Sequence, residues 1–520
     1  MLRVKNRKNK KNYANRFVAI LFIALTVNLG LYRLPDSILG LQIKKVDLLS
    51  DIRVYPEENK DDLLKILTGD DDEDDGFADN SADTATVPEA IVPDSVMPPP
   101  VPPDYQAKKP YPKDLPDSAV THKINVEQRS IPSTVAEDDK NSTDYLFNTN
   151  IEDFSSEHTG LRRFFAALNN VNNLRRPVRI AFLGDSFIEG DILVADFRAK
   201  MQANFGGRGV GFIPVTSNVA QYRPTIKQSA DGWNTYSIIK NKSRKYVLSG
   251  LLFEPASDNA SVYFQTVDMY PGLDEVSSIK FIYSTNENTG LLLKSDSDTS
   301  YYELPATESV TQFEMKGQFT RGTIQFKNAT GLKAIGFAFE DNRGVVVDNF
   351  SLRGNSGVIM SEIDSKSCRE LQQIRPYDLI VLQYGLNVAS DSVREYGWYR
   401  NHMVAVIEHL QDCFPGADIL MLGVSDRSHK RGGSYSTMPA VLSLLRAQRQ
   451  TAKKAEVTFW SIFAAMGGQN SMVKYVNSNW ASKDYTHLSF RGGREIAQAL
   501  FDAIITEKSM YDGDERLVER

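Results

Sequence analysis

The sequence predicts a three-layer α/β/α domain built on a parallel sheet, with an antiparallel β-sandwich inserted into it. Before residue 225 and after residue 347, short apolar runs alternate with helical patterns, as is typical of parallel strands joined by crossover helices. Between these parts, short segments rich in β-branched and aromatic residues are separated by Asn, Asp, Ser and Gly. Because the α/β pattern then resumes, we expect the sandwich to be an insertion rather than an appended domain.

The amino terminus predicts a membrane anchor. Residues 1–16 are strongly basic, and residues 17–32 form an almost uninterrupted apolar run. The run is slightly shorter than the roughly 20 residues that span a bilayer, so a cleaved signal peptide competes with a retained anchor. The bulky, charged sequence after the run favours a transmembrane signal anchor over residues 17–34. The positive-inside rule then leaves residues 1–16 as a cytoplasmic tail and exports the rest.

The next segment, residues 35–150, is predicted to be a disordered tether, because it is first acidic and then proline-rich with little periodicity. After it, Leu161, Phe164, Phe165 and Leu168 recur at helical spacing. Four apolar runs then read as buried strands of the parallel sheet: 178–184, 378–385, 417–425 and 456–463. We therefore assign residues 151–224 and 348–510 to the α/β domain and residues 225–347 to the sandwich.

Composition excludes several classes of function. The chain has 520 residues and is 41% hydrophobic, enough for two folded units plus tails. Its formal net charge of −6 and its dispersed Lys and Arg argue against a nucleic-acid partner. The two cysteines, Cys368 and Cys413, cannot form a disulfide framework or a thiolate metal site. Two separate buried thiols are favoured over one bridge.

The first predicted strand runs directly into Gly184, Asp185 and Ser186. At such a turn, Ser186 is suited either to cap the following helix or to act as a nucleophile. A serine nucleophile needs a base, and that base needs an orienting group. Among six histidines, His487 lies just before the last helix with Asp484 three residues upstream. In a compact loop, that spacing lets the carboxylate reach Nδ1 while Nε2 faces the serine.

Three motifs together resemble the SGNH/GDSL ester hydrolases. These are Gly-Asp-Ser (184–186), Gly-Leu-Asn (385–387) and Asp-Tyr-Thr-His (484–487), in the family's order and at matching strand ends. The resemblance covers about residues 178–505 and is interrupted by the predicted sandwich. It implies a flavodoxin-like sheet. No second His or carboxylate cluster has the spacing of metal ligands, so neither a metal nor another cofactor is expected.

The resemblance also implies roles for individual residues. Ser186 would be the nucleophile, His487 the general base and Asp484 its orienting partner. The oxyanion hole would be formed by the Ser186 backbone N–H, the Asn387 side chain and a glycine N–H. Where the family usually has an Asp after this asparagine, the chain has Val388.

Two places compete for the oxyanion-hole glycine. In the family, this glycine follows the second strand and precedes the asparagine by roughly thirty residues. Gly357 fits that position, with Gly354 next, whereas Gly209 and Gly211 do not. A phosphate-binding role for the glycine-rich run 206–211 is disfavoured because the run follows a helix rather than opening one.

The predicted function is removal of O-acetyl groups from cell-envelope or extracellular polysaccharide. The anchored topology and inserted module resemble extracytoplasmic SGNH enzymes that process such groups, including peptidoglycan O-acetylesterases. The partners expected are an acetylated glycan and, for an acetyl-transfer variant of the reaction, a membrane-bound O-acyltransferase. The expected location is the bacterial inner membrane with the catalytic domain in the periplasm.

Two alternatives stay open: a glycan O-acetyltransferase using the same triad, and a non-catalytic glycan-binding envelope protein. Aromatic residues of the sandwich, among them Tyr263, Phe264 and Tyr283, are expected to be core residues more often than glycan platforms.

Overall fold

The structure is a computed structural model that describes residues 37–38, 41–42, 144–296 and 298–518, with side chains described up to 513. The predicted tail (1–16), the predicted anchor (17–34) and most of the predicted tether lie outside the described residues. Among the helices that are described, none is both long and apolar enough to cross a membrane.

Strands and helices are numbered in chain order. The strands are β1 (Ser37–Ile38), β2 (Leu41–Gln42), β3 (Glu152–Asp153), β4 (Val178–Gly184), β5 (Gly211–Ile213), β6 (Lys227–Asp231), β7 (Trp233–Ser237), β8 (Leu251–Pro255), β9 (Ser261–Gln265), β10 (Val276–Thr285), β11 (Thr289–Ser295), β12 (Thr299–Leu304), β13 (Thr307–Phe319), β14 (Arg321–Lys327), β15 (Lys333–Glu340), β16 (Val345–Ser351), β17 (Leu379–Gln383), β18 (Asp418–Gly423), β19 (Ser428–Arg431), β20 (Ser434–Thr437) and β21 (Thr458–Ser461). The helices are α1 (Arg162–Asn169), α2 (Val194–Phe205), α3 (Ser365–Ile374), α4 (Gly397–Cys413), α5 (Pro439–Lys454), α6 (Ile462–Ala465), α7 (Ser471–Asn477) and α8 (Phe490–Val518).

Five strands form a parallel sheet in the order β16-β4-β17-β18-β21, and the short β3 pairs antiparallel at its edge. Counted along the chain, this is the 2-1-3-4-5 order of flavodoxin-like doubly wound sheets. Every residue of β4, β17 and β18 is buried, so both faces of the sheet are covered, which explains the continuous apolar runs. The predicted α/β fold class is confirmed.

The inserted part contains two antiparallel sheets. One has the order β13-β10-β15-β8-β7 with β5 paired to β15, and the other has the order β12-β11-β14-β9-β6. Phe264 and Tyr283 lie in the apolar core between these sheets. The structure differs from the predicted boundaries at both ends, because β5 joins the antiparallel part before residue 225 and β16 starts the parallel sheet before residue 348.

The glycine-rich run after α2 makes the early start at β5 possible. A Cβ on Gly207 would lie 2.4 Å from the Val345 carbonyl oxygen, and one on Gly209 would lie 2.2 Å from the Phe339 carbonyl oxygen. Both glycines have positive φ, which side chains disfavour. The Gly209 N–H also donates to the Gly272 carbonyl oxygen at 2.8 Å. The glycine-rich run therefore allows the backbone of this segment to pack closely against β15 and β16.

A buried ion cluster joins the two parts. Glu340, at the end of β15, accepts hydrogen bonds from Arg179 of β4 at 2.8 Å, from Lys280 of β10 at 2.7 Å and from Arg375 after α3 at 2.6 Å. Arg375 also pairs with Asp348 of β16 at 2.8 Å. Burial raises the pKa of Glu340, but the three cations outweigh it and hold that pKa well below its ordinary value.

The described fold also includes residues that the prediction placed in the tether. Leu146 is buried, and the Trp460 indole N–H donates to the Thr149 carbonyl oxygen at 2.9 Å. Cys368 of α3 and Cys413 of α4 are both buried and free, as the sequence favoured.

Candidate active site

The polar residues of the site lie at the carboxyl edge of the parallel sheet. Strand β4 is followed by Asp185 and Ser186, and its neighbour β17 is followed by the turn that carries Asn387. On the other side of β4, strand β16 leads into residues 352–357. Because parallel neighbours end at the same edge, three segments that are distant in sequence meet there.

Ser186 contacts a histidine and not the end of a helix. Its Oγ lies 3.0 Å from His487 Nε2. The short 3₁₀ helix Glu189–Asp191 has Ile188 as its N-cap, and the next α-helix, α2, begins only at Val194 with Leu193 as its N-cap; neither has a side-chain capping bond. The turn after β4 is instead held by Asp185, whose Oδ1 accepts the Phe187 N–H at 2.9 Å. The geometry therefore favours the nucleophile interpretation over the cap.

The six-residue segment 482–487, which we call the acid–base loop, positions His487, the predicted base. The Asp484 Oδ1 accepts the backbone N–H groups of Thr486 at 2.9 Å and His487 at 3.0 Å. Its Oδ2 lies 2.7 Å from His487 Nδ1. If Nδ1 carries the imidazole proton and donates it to Asp484, Nε2 is left to accept the Ser186 hydroxyl proton.

Electrostatics keep the Asp484 carboxyl ionised. Burial raises its pKa, but the hydrogen bonds from His487, Ser482 and Thr486 outweigh burial and hold that pKa well below its ordinary value. A charged carboxylate orients the imidazole and stabilises the imidazolium that forms when the base takes a proton.

Asn387 is held tightly by the protein itself. Its Nδ2 donates to Asp185 Oδ2 and to the Asn355 carbonyl oxygen, both at 3.0 Å. The preceding Gly385 has a φ of 125°, which allows the sharp turn out of β17. Val388, the residue after Asn387, is buried in the apolar core.

Asp185 is a site residue that the sequence prediction did not assign. It accepts one amide hydrogen of Asn387, and burial raises its pKa to about 6. The hydrogen bond from the Phe187 N–H lowers this pKa, but not enough to offset burial. Its position beside Ser186 in the Gly-Asp-Ser motif was the available signal.

Gly357 lies in the segment after β16, as predicted. Its N–H donates to the Asn355 Oδ1 at 2.8 Å, and a Cβ there would lie 2.8 Å from the Tyr384 ring. Asn355 thereby contacts both predicted donors, through its side chain to Gly357 and through its carbonyl oxygen to Asn387. The oxyanion role of Gly357 stays a prediction, and Gly354 lies at an exposed position in the same segment.

Within the part of the chain that the structure describes, no three His, Cys, Asp or Glu side chains are grouped to hold a metal ion. The titratable groups near Ser186 are His487, Asp484 and Asp185, together with the Glu189–Arg353 ion pair, which interacts electrostatically with Asp185.

Comparison with known proteins gives a structural match without a sequence match. No protein-family model and no curated protein matches the chain. A solved peptidoglycan O-acetylesterase superposes with a TM-score of 0.58 at 19% identity, covering 69% of this chain and 99% of that one. A family two carbohydrate esterase from Cellvibrio japonicus gives a TM-score of 0.24 at 10% identity, covering 55% and 98%. A GDSL-like lipase from Parabacteroides merdae gives 0.23 at 14% identity, covering 31% and 72%. The first likeness shows a shared fold, and the other two are too weak to support an argument.

Proposed function

We propose that this chain, which has the SGNH/GDSL hydrolase fold predicted from its motifs, is a serine ester hydrolase that removes O-acetyl groups from a polysaccharide. The observation that carries the proposal is the hydrogen-bonded chain from Ser186 through His487 to Asp484 at the carboxyl edge of the sheet. The fold shared with a peptidoglycan O-acetylesterase supports an acetylated envelope or extracellular glycan as the substrate class.

The geometry suits acyl transfer to serine. Ser186 Oγ attacks the acetyl carbonyl carbon while its proton passes to His487 Nε2, 3.0 Å away. The tetrahedral carbon then expels the sugar oxygen, which takes that proton, and the acetyl group stays on Oγ. A water that Nε2 deprotonates attacks the acetyl-enzyme. Acetic acid leaves, and the proton returns to Ser186.

The developing oxyanion needs donors close to Ser186. Asn387 supplies the best candidate, but both of its amide hydrogens have acceptors within the protein. Binding of the oxyanion therefore requires Asn387 to exchange or share one of these acceptors. The buried Asp185 carboxyl restrains the amide near the nucleophile until then.

Hydrolysis is favoured over acetyl transfer to a second sugar. Transfer requires water to be excluded from the acetyl-enzyme, whereas the His487 side chain is 39% exposed and that of Asp484 is 49% exposed. A membrane-bound O-acyltransferase partner belongs to the transfer alternative only.

The proposed location of the protein rests on its amino-terminal sequence. The basic and apolar segments at residues 1–34 support a single-pass anchor in the bacterial inner membrane, with the hydrolase domain in the periplasm.

The test uses the purified full-length chain with an aryl acetate and with O-acetylated glycans, beside Ser186→Ala. Rapid release of acetate by the wild type and loss of that activity in the variant are expected. A matched control is Ser261→Ala, a half-buried serine on a strand of the sandwich. If the wild type is no faster than Ser186→Ala on every acetyl ester, the proposal fails. Acetylated acceptor without free acetate would favour the transferase.

A further inference from the structure

A β-hairpin lies beside the acid–base loop without belonging to the parallel sheet. Strands β19 and β20 lie between β18 and α5 in the chain and, among the described strands, pair with each other and with no third strand. Their register sets Lys430 opposite Tyr435, so Ser428, Lys430 and Tyr435 share one face of the hairpin, whereas His429 lies on the other. The two faces contact two different segments of the candidate site.

The first face holds the acid–base loop. The Tyr435 ring stacks on the Tyr485 ring with 3.6 Å between centroids and 9° between planes. The Ser428 N–H donates to the Tyr485 carbonyl oxygen at 3.1 Å. Tyr485 lies between Asp484 and His487, so both contacts act on the part of the backbone that sets the separation of carboxylate and imidazole.

The other face holds the segment that follows Asn387. His429 Nδ1 lies 3.0 Å from Asp391 Oδ2, four residues beyond Asn387. At the base of the hairpin, Arg427 donates to the Leu386 carbonyl oxygen at 3.4 Å. The hairpin therefore links the segment carrying the general base to the segment carrying the predicted oxyanion donor.

The acid–base loop needs such a support because its backbone is strained. Tyr485 has a φ of 56°, a left-handed conformation that costs a bulky side chain on the order of 1 kcal/mol or more. Lys483 and Asp484 are exposed, and the other four residues of the loop are half-buried, with Tyr485 partly packed against the apolar core. The Tyr435 ring covers the residue that carries the strain.

We infer that Tyr435 is a positioning residue: by stacking on Tyr485, it holds the acid–base loop so that His487 Nε2 faces Ser186. This inference rests on the proposed esterase function. A misplacement of about 1 Å at a catalytic group lowers rates by about 100-fold, so a contact this close to the base has a measurable effect on turnover. The phenol oxygen of Tyr435 is not needed for stacking, whereas the ring is.

The test compares Tyr435→Ala, Tyr435→Leu and Tyr435→Phe in the full-length chain. Two rates are measured: aryl acetate turnover, and covalent labelling of Ser186 by an alkyl fluorophosphonate, which reports activation of the serine without depending on the natural substrate. Tyr435→Ala is expected to lower kcat and the labelling rate about 10- to 100-fold with KM nearly unchanged. Tyr435→Phe is expected to keep the wild-type kcat and labelling rate. Both rates of Tyr435→Leu should lie between those of Tyr435→Ala and Tyr435→Phe.

Tyr301→Ala is the matched control, since Tyr301 is an exposed tyrosine on β12 of the sandwich, and it should label at the wild-type rate. If Tyr435→Ala labels as fast as Tyr301→Ala, the inference is overturned while the esterase proposal stands. If Tyr435→Phe is as slow as Tyr435→Ala, stacking is not the cause. If the wild type shows no labelling that depends on Ser186, the proposed function fails and the inference fails with it.

Discussion

The sandwich and the α/β part bury different chemistry. In the sandwich, aromatic rings pack on one another: Phe281 lies with its ring centroid 4.8 to 5.2 Å from those of Phe337, Phe326 and Tyr283. At the carboxyl edge of the parallel sheet, polar side chains from distant segments are hydrogen-bonded to one another. Aromatic packing therefore stabilises the sandwich, whereas hydrogen bonds between polar side chains organise the sheet edge where the candidate site lies.

The largest expected contrast concerns carboxylates. Asp484→Asn removes the charge that orients His487 and should lower kcat for an aryl acetate by about 10⁴-fold, the size of the effect of the same change in a serine-protease triad. Asp298→Asn, an exposed carboxylate of the sandwich, should leave kcat unchanged. Steady-state kinetics at saturating substrate measures kcat of both variants. If the two have equal kcat, Asp484 is no more important for turnover than an exposed carboxylate of the sandwich.

The next effect concerns the ion cluster that joins the regions. Glu340→Gln leaves Arg179, Lys280 and Arg375 with less negative charge around them in a buried site, so the free energy of unfolding should fall by about 3 to 5 kcal/mol. The neighbouring Asp341→Asn is the control, because Asp341 is more exposed and bonds Ser277. Urea unfolding measures the free energy of unfolding of both variants. If Glu340→Gln loses less of this free energy than Asp341→Asn, the cluster does not hold the two parts together.

A purely apolar change tests the sandwich alone. Phe281→Ala opens a cavity among fully buried rings and should lower the free energy of unfolding by about 3 to 5 kcal/mol, with kcat unchanged where the protein stays folded. Tyr301→Ala, at a side chain 63% exposed, should change that free energy by less than about 0.5 kcal/mol. If the folded Phe281→Ala variant has a lower kcat than the wild type, the packing of the sandwich core affects turnover at the candidate site.

The smallest effect concerns Asp185 and pH. Its pKa in the folded state is about 6, above the ordinary value, so on acidification the folded chain binds this proton before the unfolded chain does. Stability from this group therefore rises as pH falls. The unfolding free energy of the wild type minus that of Asp185→Asn should increase by about 1 kcal/mol between pH 8 and pH 5. Chemical denaturation at both pH values checks this. A difference that stays flat would mean that Asp185 is not desolvated.

Much of the architecture could be read from local patterns. The buried runs of β4, β17 and β18 are continuously apolar because both sheet faces are covered, so their order along the chain and their parallel arrangement follow from the sequence. The short alternating strands likewise predicted the antiparallel insertion. The insertion begins earlier in the structure than predicted, because glycines allow β5 to pack closely on β15, more than a hundred residues further along the chain.

The sequence by itself also nominated Ser186, Asn387, Asp484 and His487, since their residue types and order resemble a known arrangement. Only the tertiary structure decided which groups touch. Ser186 contacts His487 and not a helix end. Both amide hydrogens of Asn387 are donated to acceptors within the protein. Tyr435 stacks on the acid–base loop. Such contacts join segments up to 301 residues apart, and hydrogen bonding depends on distances of a few tenths of an ångström, which no local pattern specifies.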